Sequence, residues 1–152
     1  MILVCCVEDQ NGLCFNHRRL SSDAVVTQDI LMRAGMATIW TDAYSAKLFE
    51  PFDTIDVEVS EYPYANAAMG DYVFVERSDP AAEIAEWRIE EGQIEGMLLY
   101  HWNRRYPSDV KLTLDTSEWQ CVFRREFAGK SHENVTLEIL KPSTQNEEET
   151  DE

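Results

Sequence analysis

The stretch that decides the fold is ILVCCV at residues 2–7, a run of six apolar residues close to the start of the chain. The polar segment EDQNG at residues 8–12 follows it and is typical of a turn. A strand that is apolar at every position is buried on both faces, which is the pattern of a central strand in a parallel sheet. The sequence therefore predicts a sheet with helices packed on both of its faces.

Helical and extended patterns alternate after this strand. Strands alternating with helices predict a three-layer α/β domain with a mostly parallel central sheet, and two long final strands around a Gly-containing turn predict a C-terminal antiparallel hairpin. Residues 1–142 are predicted to form this single domain, and residues 143–152 an acidic disordered tail. The predicted helices are 21–35 with Asp23 in the first turn, 42–49 and 80–88; the predicted strands are 37–40, 55–59, 72–75, 97–102, 119–127 and 134–140.

The chain is strongly acidic, with 13 Lys and Arg against 29 Asp and Glu and a formal net charge of −16. Such a charge repels nucleic acids and anionic membrane surfaces, so neither is an expected partner. The apolar N-terminal run lacks the basic residues and cleavage site of a signal peptide, and no segment approaches the ~20 apolar residues of a membrane span. We therefore expect a soluble, cytoplasmic protein, and the sequence leaves its oligomeric state open.

The four cysteines are Cys5, Cys6, Cys14 and Cys121. They form no C-x-x-C pair, and no histidine stands at zinc-finger spacing from them. Reduced and mostly buried thiols are expected, and no metal site is predicted.

Six segments share the order and spacing of one known family. They are residues 3–12, 19–23 (RLSSD), 98–102 (LLYHW), 108–109 (SD), 118–123 (EWQCVF) and 132–140. The family that they resemble is dihydrofolate reductase. The resemblance implies that family's fold, a mobile active-site loop that opens at Gly12, and Asp23 in the position of the catalytic acid.

The same resemblance implies NADPH, but the residues at the corresponding positions do not suit it. The family's glycine-rich turn, which approaches the pyrophosphate, is replaced by Glu76-Arg77-Ser78, and its Gly-Arg pair by Thr41-Asp42. The arginine that binds the pterin glutamate has no counterpart, because residues 50–69 contain neither Arg nor Lys. We therefore expect no cofactor and no folate reductase activity.

Arginines and histidines cluster in two segments, residues 16–19 and 101–106, which the resembled fold brings together. Arginine offers planar donors suited to phosphate or carboxylate, and histidine titrates near neutral pH. The alternative is that the arginines form surface ion pairs with Glu8, Asp9, Asp23 or Asp109. The candidate ligand-binding residues are Arg18, Arg19, Asn103, Arg104, Arg105 and Asp109, and the candidate catalytic residues are His17, Asp23 and His101.

Three classes of function remain. The first is a ligand-binding protein that holds a small phosphorylated or carboxylated molecule in this cluster. The second is an enzyme, either a remnant reductase with Asp23 as proton donor or a phosphodiester hydrolase with His17 and His101 as acid and base. The third is an interaction protein whose acidic surface binds a basic partner. For Asp23 a structural role at the helix start, favoured by the helix dipole, is the alternative to catalysis, and His132 is expected to cap a turn.

Overall fold

The computed structural model describes residues 1–52 and 56–143. Strands and helices alternate along most of this length, as the sequence predicts. The strands are β1 (Ile2–Val7), β2 (Gly12–Phe15), β3 (Arg18–Arg19), β4 (Ile39–Thr41), β5 (Val57–Val59), β6 (Tyr72–Phe74), β7 (Gly96–His101), β8 (Val110–Lys111), β9 (Trp119–Phe127) and β10 (Val135–Pro142); the helices are α1 (Ala24–Ala34), α2 (Ala43–Ala46), α3 (Pro63–Asn66) and α4 (Pro80–Glu86), with 3₁₀ turns at Lys47–Phe49 and Glu91–Gln93.

Seven strands form the central sheet in the order β5-β4-β6-β1-β7-β10-β9. The first five are parallel to one another, whereas β10 runs antiparallel to β7 and pairs with β9 as a hairpin. The predicted central position of β1 is confirmed, because β1 lies between β6 and β7 and pairs with both. The predicted α/β architecture and C-terminal hairpin are also confirmed.

Alternate residues of β1 supply two separate apolar cores, one on each face of the sheet. Val4 packs with Val26 and Ile30 of α1 on one face, whereas Leu3 packs with Tyr64 of α3 on the other. Because side chains of a strand point alternately to its two faces, an apolar residue at every position is needed to serve both cores. The three-layer arrangement follows directly from the opening sequence.

A second, small sheet lies beside the central one and was not predicted. Its order is β3-β2-β8, and it links residues 12–19 to residues 110–111. Asn16 and His17 both have positive φ, of 51° and 62°, which is the backbone of a two-residue hairpin turn. The strands are too short for the sequence to show a period-2 pattern.

Several boundaries differ from the prediction. Asp23 is the residue that caps α1 and does not lie in its first turn. Residues 63–66, expected to be loop, form α3, where Pro63 starts the helix. The helix after Asp79 ends at Glu86, because Arg88 takes a positive φ of 52° that a helix cannot contain. Trp87, which directly follows the helix, is 37% exposed.

Parts of the prediction fall outside the described residues, namely Ile55 of the predicted strand 55–59 and residues 144–152 of the predicted tail. The four cysteines are free thiols; Cys5 and Cys14 are buried, whereas Cys121 is exposed. The longest described helix, α1, has 11 residues, and no helix in the described ranges has the length and apolar character of a bilayer-spanning segment.

The start of β7 gives a test of sheet packing. A Cβ added at Gly96 would lie 2.8 Å from the backbone oxygen of Leu140 on β10, whereas a Cβ at Gly92 would meet no atom within 4 Å. We expect Gly96→Ala to lower the free energy of unfolding by about 1–3 kcal/mol, since neither backbone can yield easily. The matched control Gly92→Ala should change it by less than about 0.5 kcal/mol. Urea unfolding measures both, and equal midpoints for the two variants would contradict this packing.

Candidate functional site

The carboxylate of Asp23 joins the amino end of α1 to the turn between β9 and β10. The residue is 4% exposed. Its Oδ1 accepts hydrogen bonds from the backbone N–H groups of Val25 and Lys130, each at 2.9 Å. Its Oδ2 accepts from the Ser131 N–H at 2.8 Å, the Ser131 hydroxyl at 3.1 Å and His132 Nδ1 at 2.9 Å.

These donors keep Asp23 ionised. Burial alone would raise the pKa of the carboxyl, but the N–H groups of Lys130 and Ser131, the His132 side chain and the Val25 N–H outweigh it and hold the pKa well below its usual range. An ionised carboxylate is only an acceptor of hydrogen bonds. Asp23 therefore has the chemistry of a structural anchor and of a hydrogen-bond acceptor for the imidazole.

His132, for which the sequence indicates only a turn cap, lies against Asp23 in the folded chain. Its ring is 4% exposed and stacks on Trp102, with ring centroids 4.6 Å apart and planes 27° from parallel. Nδ1 faces Asp23, and Nε2 lies 3.0 Å from the hydroxyl of Ser21 and 3.3 Å from that of Tyr106. The hairpin turn was visible in the sequence, but nothing there pairs residue 132 with residues 21 and 23.

Arg19, expected to bind a ligand, is used within the protein. Its Nε and Nη2 donate to the two carboxylate oxygens of Glu76, at 2.8 and 2.9 Å, and its guanidinium lies over the Tyr44 ring. Ser45 of α2 donates its hydroxyl proton to the same carboxylate at 2.7 Å. Glu76 lies just after β6, where the resembled family has its phosphate-binding turn.

Asp42 occupies the second position at which that family meets a phosphate. Its Oδ1 accepts from the Ser45 N–H at 2.7 Å and caps α2, and its Oδ2 accepts from Arg77 Nη2 at 3.0 Å. The cavity lined by Asp42, Glu76 and Arg77 has a volume of only about 90 Å³. Ligand pockets usually measure about 300–1,000 Å³, so this cavity is smaller than a typical ligand site.

Apart from His101, which ends β7, the remaining predicted residues lie in two loops, residues 16–18 and 103–109, that the structure brings together. The Asn16 N–H donates to Asp109 Oδ2 at 3.0 Å, and the Asp9 N–H donates to the Arg104 carbonyl at 2.9 Å. Asn103 reaches across to the last strand, where its amide donates to the Asn134 carbonyl and the Thr136 hydroxyl.

Six of the predicted residues in these loops are exposed, and they are His17, Arg18, Asn103, Arg104, Arg105 and Asp109. Among the described residues, no carboxylate lies within ion-pairing distance of these arginines. The expected alternative of surface ion pairs with Glu8, Asp9, Asp23 or Asp109 is therefore not what the structure shows for them. His101 is held apart from the loops, since its Nε2 lies 2.6 Å from Glu138 of β10.

In the described part of the chain, no group of three or more His, Cys, Asp or Glu side chains is arranged to hold a metal ion.

The role of Asp23 can be tested by replacing it with Asn. The amide keeps the size of the side chain but presents an NH₂ group to donors, so we expect a loss of about 2–4 kcal/mol in the free energy of unfolding. Asp9→Asn is the control, because Asp9 is exposed.

The effect should depend on pH. Because the pKa of Asp23 is lower in the folded chain, its charge stabilises the fold above the unfolded pKa of about 4, and this contribution declines as the pH falls below that value. In urea unfolding, the gap between the wild-type protein and Asp23→Asn should therefore be smaller at about pH 3 than at about pH 5.5. A gap that stays constant would contradict the assignment.

Comparison with known proteins supports the fold seen here. No protein-family model and no curated protein sequence matches the chain. Among solved structures, the dihydrofolate reductase from Enterococcus faecalis complexed with NADP(H) and RAB-propyl is similar, with a TM-score of 0.60 and 9% sequence identity over 92% of this chain and 94% of that chain. The chain therefore has a dihydrofolate reductase-like fold, and at this identity the likeness extends to the fold alone.

Proposed function

We propose that the protein binds a small phosphorylated or carboxylated molecule at the exposed arginines of its two joined loops. The observation that carries this proposal is that Arg18, Arg104 and Arg105 form no ion pair in the described part of so acidic a chain. Arg19, Arg33 and Arg77, by contrast, each bind a carboxylate within 3.0 Å. Guanidinium groups left to solvent on neighbouring loops suit bidentate binding of an oxyanion.

The hydrogen bonds between the loops support this role. The bonds from Asn16 to Asp109 and from Asp9 to Arg104 fix the backbones that carry the arginines. A receptor held in place before the ligand arrives loses less conformational freedom on binding. His17, in the hairpin turn between β2 and β3, adds an exposed imidazole beside Arg18.

The proposal also holds that the protein does not reduce folate with NADPH. The resemblance places Glu76 and Asp42 at the two positions where that family binds phosphates, and these carboxylates already take up the nearby guanidinium groups of Arg19 and Arg77. The hydrogen bonds that lower the pKa of Asp23 favour its carboxylate form, which is a poor proton donor.

The anion site is tested by thermal unfolding with and without inorganic phosphate or citrate, with sodium chloride at matched ionic strength as reference. A ligand that binds only the native state raises the melting temperature, by RT ln(1 + [L]/Kd) in free energy. We expect an increase of several degrees for the wild-type protein and none for the triple variant Arg18→Gln, Arg104→Gln, Arg105→Gln.

The matched control is Arg88→Gln, because Arg88 is also an exposed arginine without an ion pair in the described residues but follows α4, outside the two loops. Its response should equal that of the wild-type protein. An increase of the same size in the triple variant would refute the site, as would no increase in any of the proteins.

The expected absence of folate reduction is tested by following the absorbance of NADPH at 340 nm in the presence of dihydrofolate. A constant signal is expected, and NADPH oxidation that Asp23→Asn abolishes would overturn the claim.

A further inference from the structure

We propose that Ser21, His132 and Asp23 form a second site, a serine nucleophile with its general base, which hydrolyses small esters. The Ser21 hydroxyl lies 3.0 Å from His132 Nε2, and His132 Nδ1 lies 2.9 Å from Asp23 Oδ2. This is the chain of contacts by which serine hydrolases activate a hydroxyl, and it is recognised by geometry and not by residue order or fold. The residues come from the loop before α1, the end of the β9–β10 turn and the cap of α1.

The partners of the neutral His132 ring decide its tautomer. Asp23 is an ionised carboxylate that can only accept, so the proton of the neutral imidazole is on Nδ1. Nε2 is then an acceptor, and it faces the Ser21 hydroxyl. His132 is thereby oriented to remove the proton from Ser21, as a general base must be.

Asp23 and His132 are more deeply buried than Ser21. Asp23 and His132 are each 4% exposed, and stacking on Trp102 fixes the ring of His132. Ser21 is partly exposed. The nucleophile thus lies nearer to solvent than the base and the positioning carboxylate.

The hydroxyl of Tyr106 adds a third element. It lies 3.3 Å from the same Nε2 that Ser21 contacts, so the two hydroxyls flank one nitrogen. A tyrosine hydroxyl is one of the donors that stabilise an oxyanion formed by attack on a carbonyl. Tyr106 is thus placed to donate to the tetrahedral intermediate once the substrate displaces its contact with His132.

The reaction balances without a cofactor. Ser21 Oγ forms a bond to the ester carbonyl carbon as its proton passes to His132 Nε2. The bond to the alcohol then breaks, and the alcohol leaves with that proton. Water, deprotonated by His132, attacks the acyl-serine, which releases a carboxylic acid and restores the Ser21 hydroxyl.

The arginine loops suggest which esters bind. Arg105 directly precedes Tyr106, and Arg18 lies three residues before Ser21. We expect a preference for esters that carry a carboxylate or phosphate on the acyl group. This preference rests on the proposed anion site, whereas the hydrolysis itself does not.

The direct test is labelling with a fluorophosphonate probe, which reacts covalently with activated serines, followed by mapping of the modified peptide by mass spectrometry. We expect label on Ser21 in the wild-type protein and none on this segment in Ser21→Ala. Ser22→Ala is the matched control, since Ser22 is the exposed neighbour, and it should be labelled like the wild-type protein. Absence of label in the wild-type protein, or label that persists in Ser21→Ala, would overturn the proposal.

Hydrolysis of 4-nitrophenyl acetate and of the anionic 4-nitrophenyl succinate gives the second measurement. Ser21→Ala should lower the rate with both esters by at least about 100-fold, and Ser22→Ala should not change it. His132→Gln, checked for folding by circular dichroism, should lose the same activity, and a folded variant that retains it would exclude His132 as the base. Equal rates with the two esters, both dependent on Ser21, would refute the anion preference and leave the hydrolytic site standing.

Discussion

The contact between the Asp23 carboxylate and the β9–β10 turn is the interaction on which the rest of the candidate site depends. Its partners Lys130, Ser131 and His132 are 107, 108 and 109 positions further along the chain. The contact therefore links the helix on one face of the sheet to the hairpin at the sheet's edge. The close approach requires Gly129, because a Cβ there would lie 2.5 Å from Asp23 Oδ2. A buried carboxylate with this many donors is costly to leave unpaired, so the helix cap and the hairpin turn stabilise each other.

Two carboxylates near β6 and α2 are also engaged by arginines of the same chain. Glu76 accepts hydrogen bonds from Nε and Nη2 of Arg19 and from the hydroxyl of Ser45. Asp42 accepts hydrogen bonds from Arg77 and from the Ser45 N–H of α2. Donors of this kind would otherwise bind an external anion. Arg19 and Arg77 are thus used inside the fold, whereas Arg18, Arg104 and Arg105 form no ion pair among the described residues.

The central sheet and its hairpin could be predicted because their signals are local. The all-apolar run at β1 and the two long final strands carry their own periodicity, and Asp23 has the residue type of a helix cap. The small sheet could not be predicted, since β3 and β8 have two residues each. His132 could not be predicted either, because its partners Ser21 and Trp102 are distant in sequence. Arg19 was expected to bind a ligand, but its partner Glu76 is 57 residues away and becomes visible only in the folded chain.

The central claim is that Asp23 is a permanent carboxylate that anchors the hairpin and orients His132. An NMR titration of protein carrying ¹³C-labelled aspartate carboxyls measures this directly, since the carboxyl shift reports protonation. Assigned with Asp23→Asn, the Asp23 signal should remain that of a carboxylate from about pH 7 down to about pH 3, while an exposed aspartate such as Asp9 titrates near its usual pKa of about 4. Titration of Asp23 with a midpoint at or above that of Asp9 would contradict the account.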